Sequence, residues 1–124
     1  MNLPAPIEAY VLAYNAMDVD AMLAPLADCV VFQNIADGAV TAEARGKKAF
    51  EEMARLGATA FSSRRQTPTA VITVADRTAV VIDFEAAVAI DLPNGWKAGE
   101  ALKFQGKSFF RIIDGKITEI IDES

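Results

Sequence analysis

The first part of the chain spaces its apolar residues as a helix does and then changes to the pattern of a strand. The apolar face of the first predicted helix recurs at i, i+3, i+4 and i+7 and consists of Ile7, Tyr10, Val11 and Tyr14. Asp18 is suited to cap a short second helix, because its carboxylate accepts hydrogen bonds from free backbone N–H groups. The β-branched and aromatic run at residues 30–32 then predicts a strand.

A loop and a third helix are predicted next. Residues 35–45 contain Asp37-Gly38 and are predicted as the loop. A helix is predicted to begin at Gly46, with apolar residues at helical spacing, namely Phe50, Met53, Leu56 and Ala60. The charged residues between them are expected to form its solvated side.

From residue 62 onward the apolar period becomes two, which is typical of strands. We expect strands at residues 62–74, 78–92, 101–113 and 116–122, with Pro68 indicating an edge strand or a bulge. Turns are predicted at residues 75–77, 93–95 and 114–115. Helices followed by a run of strands predict one α+β domain over residues 1–124, with the helices on one face of a curved antiparallel sheet.

The alternation of apolar and polar residues indicates which side chains lie on each face of the predicted strands. The set expected to face the helices is Val80, Ile82, Phe84, Ala86, Val88 and Ile90. A hairpin register with Glu85 opposite Lys107 places Phe84 opposite Ser108 inside and pairs opposite charges outside. Phe109 then lies on the outer, otherwise polar face, which predicts that this face packs against a second subunit in a homodimer.

Composition excludes several classes of function. The net charge of −5 argues against nucleic-acid binding and against docking on an anionic membrane. The sequence contains no histidine, which excludes Ser-His-Asp and Cys-His catalysis and His-ligated metal sites. Cys29 is the only cysteine, so no intrachain disulfide forms, and we expect it to be a small buried hydrophobe. With no signal peptide, transmembrane stretch or cofactor motif, we expect a cytoplasmic protein without metal or cofactor.

Three stretches point to a known family. They are residues 10–32, Gly46 with Ala49-Phe50, and residues 109–117 ahead of a terminal strand that ends in Asp122. These stretches resemble the NTF2-like superfamily, and more narrowly its SnoaL-like and ketosteroid isomerase branch. The resemblance covers nearly the whole chain. It implies an α+β, cystatin-like cone, in which a curved antiparallel sheet wraps around three N-terminal helices. This fold hosts isomerases, cyclases, dehydratases, hydrolases and binding modules.

The resemblance also implies candidate catalytic residues. The oxyanion tyrosine of the steroid isomerases falls on Tyr10, whereas their general base falls on Asn34 and their protonated acid on Ser108. The acid/base aspartate of the SnoaL-like cyclases falls on Asp122, and their partner histidine is missing. Tyr10 and Asp122 are therefore the candidate catalytic pair.

The direction in which the last strand points depends on the preceding turn. A two-residue turn at Asp114-Gly115 directs Glu119 inward, whereas a three-residue turn with a bulge directs Asp122 inward. An inward Asp122 among apolar side chains would have a raised pKa and could act as an acid or base near neutral pH. Alternatively, residues 122–124 form a frayed polar tail.

An apolar pocket with few polar groups is predicted inside the cone. Its expected ligand contacts are Tyr14, Phe32, Asn34, Phe50, Met53, Phe84, Phe104, Ser108 and Phe110. Trp96 either covers the mouth of the cone or packs on a partner. Such a pocket suits a small apolar or carbonyl-containing ligand. The sequence leaves two functions open: an acid–base isomerase, cyclase or hydrolase, and a non-catalytic ligand-binding or dimerisation module.

Overall fold

The computed structural model describes residues 2–124 and divides them into three helices and six strands. Along the chain they are α1 (Ala5–Asn15), α2 (Val19–Leu23), β1 (Leu26–Ala36), β2 (Ala39–Arg45), α3 (Lys47–Ala60), β3 (Phe61–Val74), β4 (Arg77–Val88), β5 (Ala101–Ile113) and β6 (Lys116–Glu123). Within this part of the chain, each helix is too short or too polar to cross a membrane.

The helices begin where the sequence predicts. The Ala21 N–H donates to Asp18 Oδ1 at 3.1 Å, which confirms Asp18 as the N-cap of α2. Gly46 precedes α3 with a φ of +89°, a backbone conformation that glycine adopts without the steric cost borne by other residues.

The six strands form one curved sheet in the order β2-β1-β6-β5-β4-β3. This architecture confirms the predicted α+β cone. The C-terminal strand β6 lies in the middle of the sheet, antiparallel to β5 and parallel to β1, so one of the neighbouring pairs departs from the expected antiparallel arrangement. β3 is an edge strand, and its register shifts between Pro68 and Ala70, so Pro68 marks both an edge and a bulge.

The loop predicted at residues 35–45 is wrong. Asp37 and Gly38, both with positive φ, instead form the turn of a hairpin between β1 and β2. Most residues of β2 are exposed and only Ala44 is buried. Because β2 packs so little apolar surface on the core, its sequence carries no clear alternating pattern.

The predicted register of the β4–β5 pair is also wrong. Glu85 lies opposite Lys103 rather than Lys107, with 3.7 Å between the Lys103 Nζ and the Glu85 carboxylate, and Phe84 lies opposite Phe104 rather than Ser108. A shift by an even number of residues keeps every side chain on its face and still pairs opposite charges, so the pattern cannot distinguish the two registers. β4 ends at Val88 rather than at residue 92, which leaves Ile90 exposed.

The core lies between the helices and the inner face of β1, β4, β5 and β6. The largest side chains with almost no exposure include Ile7, Leu26, Phe50, Phe110, Ile117 and Ile120. Two further predictions of burial are wrong: Leu56 is 72% exposed, because Ala54 takes the inner face of α3 at that level, and Cys29 is exposed on β1.

Removal of the α2 cap tests the local contribution of Asp18. We expect Asp18→Ala to lower the free energy of unfolding by about 1 kcal/mol, because the Ala21 N–H loses its acceptor. The matched control is Asp20→Ala, which removes an exposed ion pair with Arg55 and a first-turn carboxylate that accepts no backbone N–H, and it should change stability by less than about 0.5 kcal/mol. Urea denaturation measures both values, and equal effects of the two substitutions would contradict the capping role.

Candidate functional site

A cavity of about 430 Å³ lies on the inner side of the sheet, next to the last turn of α1. Its apolar wall consists of Phe61, Ile82, Phe84, Trp96 and Phe104. Its polar wall includes Tyr14, Asn34, Thr41, Gln66, Ser108 and Asp122. Gly106 also lines the cavity, and it lies so close to β6 that a Cβ there would be 3.0 Å from the Glu123 backbone oxygen.

Asp122 points into this cavity because the β5–β6 hairpin has both the predicted two-residue turn and a bulge. The hairpin has the two-residue turn at Asp114-Gly115, and Ile112 pairs with Ile117. The register then shifts, so that Arg111 pairs with Glu119 and Thr118 is the extra residue of a bulge. Beyond this bulge, Asp122 lies opposite Ser108 and lines the cavity, so the alternative of a frayed tail does not apply to it.

The Asp122 carboxyl is held by a short hydrogen bond. Ser108 Oγ donates to Asp122 Oδ1 at 2.6 Å. Burial raises the pKa of Asp122 from its ordinary value of 3.8 to about 6, and the Ser108 hydrogen bond offsets part of that increase. The carboxyl therefore changes its charge close to neutral pH, which is the property required of a group that both accepts and returns a proton.

Tyr14 is the tyrosine that reaches the cavity. Burial raises the pKa of its phenol to about 12, although the nearby positive charge of Arg64 lowers it. The Arg64 guanidinium stacks over the Tyr14 ring at 3.7 Å, and Arg64 Nε donates to the Tyr14 backbone oxygen at 3.0 Å. Tyr14 thus remains a protonated hydrogen-bond donor at any ordinary working pH.

Tyr10 lies one helical turn earlier and is part of the core. Its ring packs at 6.0 Å from Phe110 and 6.2 Å from Phe50, and the residue is 4% exposed. Burial raises the pKa of its phenol well above the ordinary value, and the charge of Asp122 raises it further. The cavity wall, however, contains Tyr14 and not Tyr10.

The other predicted ligand contacts divide into two groups. The structure brings Asn34, Phe84, Phe104 and Ser108 to the cavity wall. It places Phe32, Phe50, Met53 and Phe110 in or against the hydrophobic core, because α1 and α3 cover that part of the sheet. The side-chain amide of Asn34 donates to Thr41 Oγ1 at 2.9 Å across the β1–β2 hairpin.

Sequence reasoning missed Gln66 and Phe61 and left Trp96 with two interpretations. Trp96 packs at 6.2 Å from Phe104 and 6.5 Å from Phe61 and lines the cavity. Gln66 lies on the same face of β3 as Arg64, and these two residues are the buried positions of that strand. Because both of these inward residues are polar, the hydrophobic pattern does not show which face of the strand points toward the core.

No three Asp, Glu or Cys side chains among residues 2–124 form a group that could hold a metal ion.

The family model for the SnoaL-like domain matches residues 7–120 of this chain. No curated protein sequence is significantly similar to the chain.

Solved structures with the same fold are similar over almost the whole chain. A ketosteroid isomerase-like fold protein from Catenulispora acidiphila, crystallised with trimethylamine, is 14% identical with a TM-score of 0.81, covering 98% of this chain and 85% of that one. A protein from Silicibacter sp. proposed to be a polyketide cyclase is 24% identical with a TM-score of 0.76, covering 98% and 90%. TerC, co-crystallised with polyporic acid, is 18% identical with a TM-score of 0.75, covering 95% and 87%.

The raised pKa of Asp122 predicts a specific dependence of stability on pH. Between about pH 4 and pH 6 the folded protein retains a proton on Asp122 that the unfolded chain loses, so this carboxyl lowers stability as the pH rises. At about 1.4 kcal/mol per pH unit, the loss amounts to at most about 3 kcal/mol above pH 6. The Asp122→Asn variant has no carboxyl to titrate at this position. We therefore expect its free energy of unfolding, relative to that of wild type, to be higher at pH 7.5 than at pH 3.5.

Urea denaturation of both proteins at the two pH values measures the gain. Parallel stability profiles of wild type and Asp122→Asn would show that the Asp122 carboxyl titrates as an ordinary aspartate.

Proposed function

The chain belongs to the SnoaL-like domain family, and from that premise we propose that it binds a small, largely apolar carbonyl compound and transfers a proton on it. The observation that carries this proposal is the Asp122 carboxyl, which lines the cavity with a pKa of about 6 and accepts a hydrogen bond from Ser108. Most of the remaining wall is apolar or aromatic, as in sites that hold small organic ligands.

The proposed step is abstraction of a proton from the carbon next to the ligand carbonyl. Ser108 occupies Asp122 Oδ1, so Oδ2 is the oxygen available to the ligand. Above about pH 6 the carboxylate takes the proton, the C–H bond breaks, and its electron pair moves to the carbonyl oxygen as an enolate. Tyr14, still protonated, donates a hydrogen bond to that oxygen.

Two outcomes of this step use only groups of the chain and the ligand. Return of the proton from Asp122 to a different carbon gives an isomerisation. Attack of the enolate carbon on a second carbonyl of the same molecule gives a cyclisation, with the proton passing to the new alkoxide. Ser108 positions the acid/base group in both cases, and Tyr14 takes the oxyanion role that the sequence assigned to Tyr10.

Binding without catalysis is the second candidate function. It is favoured by the position equivalent to the isomerase base, where Asn34 cannot accept a proton and donates its amide to Thr41. It is also favoured by Tyr10, which packs against Phe50 and Phe110 in the core. TerC has the same fold and was co-crystallised with polyporic acid, which supports a small organic ligand under either candidate.

Proton abstraction is tested by hydrogen–deuterium exchange at the carbon next to the carbonyl of 1-tetralone. We expect wild type in buffered D₂O to accelerate exchange, with a rate that rises with pH through about 6, because the carboxylate form of Asp122 is the base. Asp122→Asn should lower the enzyme-dependent rate at least about 100-fold. The control is Asp83→Asn, which changes an exposed strand aspartate that does not line the cavity.

Ligand binding is followed separately through Trp96, the only tryptophan of the chain, which lines the cavity. Saturable quenching of its fluorescence without exchange selects the non-catalytic candidate. Unchanged exchange in Asp122→Asn would overturn the catalytic one.

We also propose that the outer face of the sheet is covered by a second copy of the chain. Across four strands this face carries a row of apolar residues in cross-strand register, namely Ile72, Ala79, Phe109 and Ile121. Ile72 is 68% exposed in the isolated chain, and Phe109 is only half-buried. A continuous apolar row on an exposed sheet favours a symmetric partner, which covers it with the same row.

Light scattering after gel filtration tests the dimer. We expect wild type at 100 μM to have twice the mass of the chain and Phe109→Glu to be monomeric, because a buried carboxylate at the centre of the row has no partner. Leu56→Glu is the control, since Leu56 is 72% exposed on α3, away from the sheet. A monomeric wild type would contradict the proposal.

A further inference from the structure

The side chain of Gln66 carries a buried polar atom that takes no part in the hydrogen bonding of the fold. Gln66 lies on β3, is 9% exposed and lines the cavity. Its Oε1 is the one buried side-chain polar atom among residues 2–124 without a hydrogen-bond partner. Buried acceptors are nearly always paired, so an unpaired one indicates a partner that binds from outside the chain.

The backbone of Gln66 is fixed independently of that side chain. Asn15, at the end of α1, donates its amide to the Gln66 backbone oxygen at 3.0 Å and accepts from the Gln66 N–H at 2.7 Å. The position of the residue at the cavity wall is therefore fixed through its backbone, and rotation about the terminal torsion, which is soft in glutamine, is the movement that presents the oxygen to a ligand. A hydroxyl or N–H group of a ligand is the complement of this acceptor.

The surroundings of Gln66 restrict the shape of that ligand. Phe84 lies directly opposite Gln66 on β4, and Phe104 lies opposite Phe84 on β5, with ring centroids 5.0 Å apart. Phe61 and Trp96 complete a wall of four aromatic rings that contact one another. Such a wall packs best against a flat ring, so the donor sits on the edge of an aromatic or conjugated system.

The distance between Gln66 and Asp122 restricts the position of the donor. Gln66 is on β3 and Asp122 on β6, three strands apart in the sheet. Gln66 lies at the level of Phe104 on β5, whereas Asp122 lies opposite Ser108, four residues further along that strand. In a flat sheet, three strand spacings and four residues along a strand separate two positions by roughly 19 Å. The curvature of the sheet and the length of two inward side chains shorten this gap, and both residues line the same cavity. A ligand carbonyl at Asp122 therefore has its opposite end at Gln66.

We propose that Gln66 is a specificity-determining residue that accepts a hydrogen bond from a phenolic hydroxyl or ring N–H, so that the cavity selects flat carbonyl compounds with a donor at the end remote from the carbonyl. This inference rests on the proposed binding of carbonyl compounds in the same cavity. It adds the substrate class and a residue that recognises it.

The test compares the binding of 6-hydroxy-1-tetralone, 6-methoxy-1-tetralone and 1-tetralone by isothermal titration calorimetry. The methoxy compound keeps the oxygen and removes the donor. We expect wild type to bind the hydroxy compound about tenfold more tightly than the methoxy compound, the usual upper range for one neutral hydrogen bond. Gln66→Met, which keeps the volume and removes the amide oxygen, should abolish this preference and leave the affinity for 1-tetralone within about twofold.

Two further variants control for folding and shape. Gln66→Glu keeps an acceptor in the same place and should retain the preference for the hydroxy compound. Gln105→Met makes the same chemical change on the exposed outer face of β5 and should behave as wild type. Circular dichroism and thermal unfolding establish that each variant is folded.

The outcomes separate this inference from the proposed function. Equal binding of the hydroxy and methoxy compounds to wild type, or a preference that survives in folded Gln66→Met, overturns the role of Gln66 while carbonyl binding stands. Failure of all three compounds to bind overturns both.

Discussion

The structure depends on the insertion of β6 between β1 and β5. Ile117 and Ile120 of this strand are fully buried and join the two halves of the core. The same strand places Asp122 between Asn34 of β1 and Ser108 of β5, so the candidate acid exists only when the sheet is complete. Because β1 and β6 are far apart in sequence, their pairing closes a long loop at a cost in chain entropy, and the site depends on this non-local contact.

Much of the fold could be predicted because its signals are local. The cap at Asp18, the glycine before α3 and the turn at Asp114-Gly115 each depend on the chemistry of a few adjacent residues. The β4–β5 register could not be predicted, since Glu85 has a lysine of the correct parity at both 103 and 107. Only the length of the connection between β4 and β5 distinguishes these alternatives, and apolar alternation suggested that β4 continues four residues too far.

The candidate site was predictable where one residue type implies one kind of chemistry. A terminal aspartate in an apolar strand suggests a shifted pKa, and Asp122 has one. Whether Tyr10 or Tyr14 lines the cavity depends on where the end of α1 crosses the sheet. Helical periodicity does not give this crossing point, because both residues lie on the same face of the helix. Gln66 could not be predicted as a site residue, because whether an acceptor is unpaired depends on its neighbours in three dimensions.

The end of α1 and the edge strand β3 hold the polar wall of the cavity rigid. Arg64 stacks on the Tyr14 ring and donates to its backbone oxygen, while Asn15 makes two hydrogen bonds to the backbone of Gln66. These contacts join consecutive residues of α1 to alternate residues of β3, so Tyr14 and Gln66 cannot move independently. A cavity whose hydrogen-bonding residues have fixed backbone positions before the ligand arrives loses less conformational entropy on binding. Arg64 is buried and forms no ion pair with a carboxylate among residues 2–124, and its hydrogen bond and its stacking energy go to Tyr14, which lines the cavity.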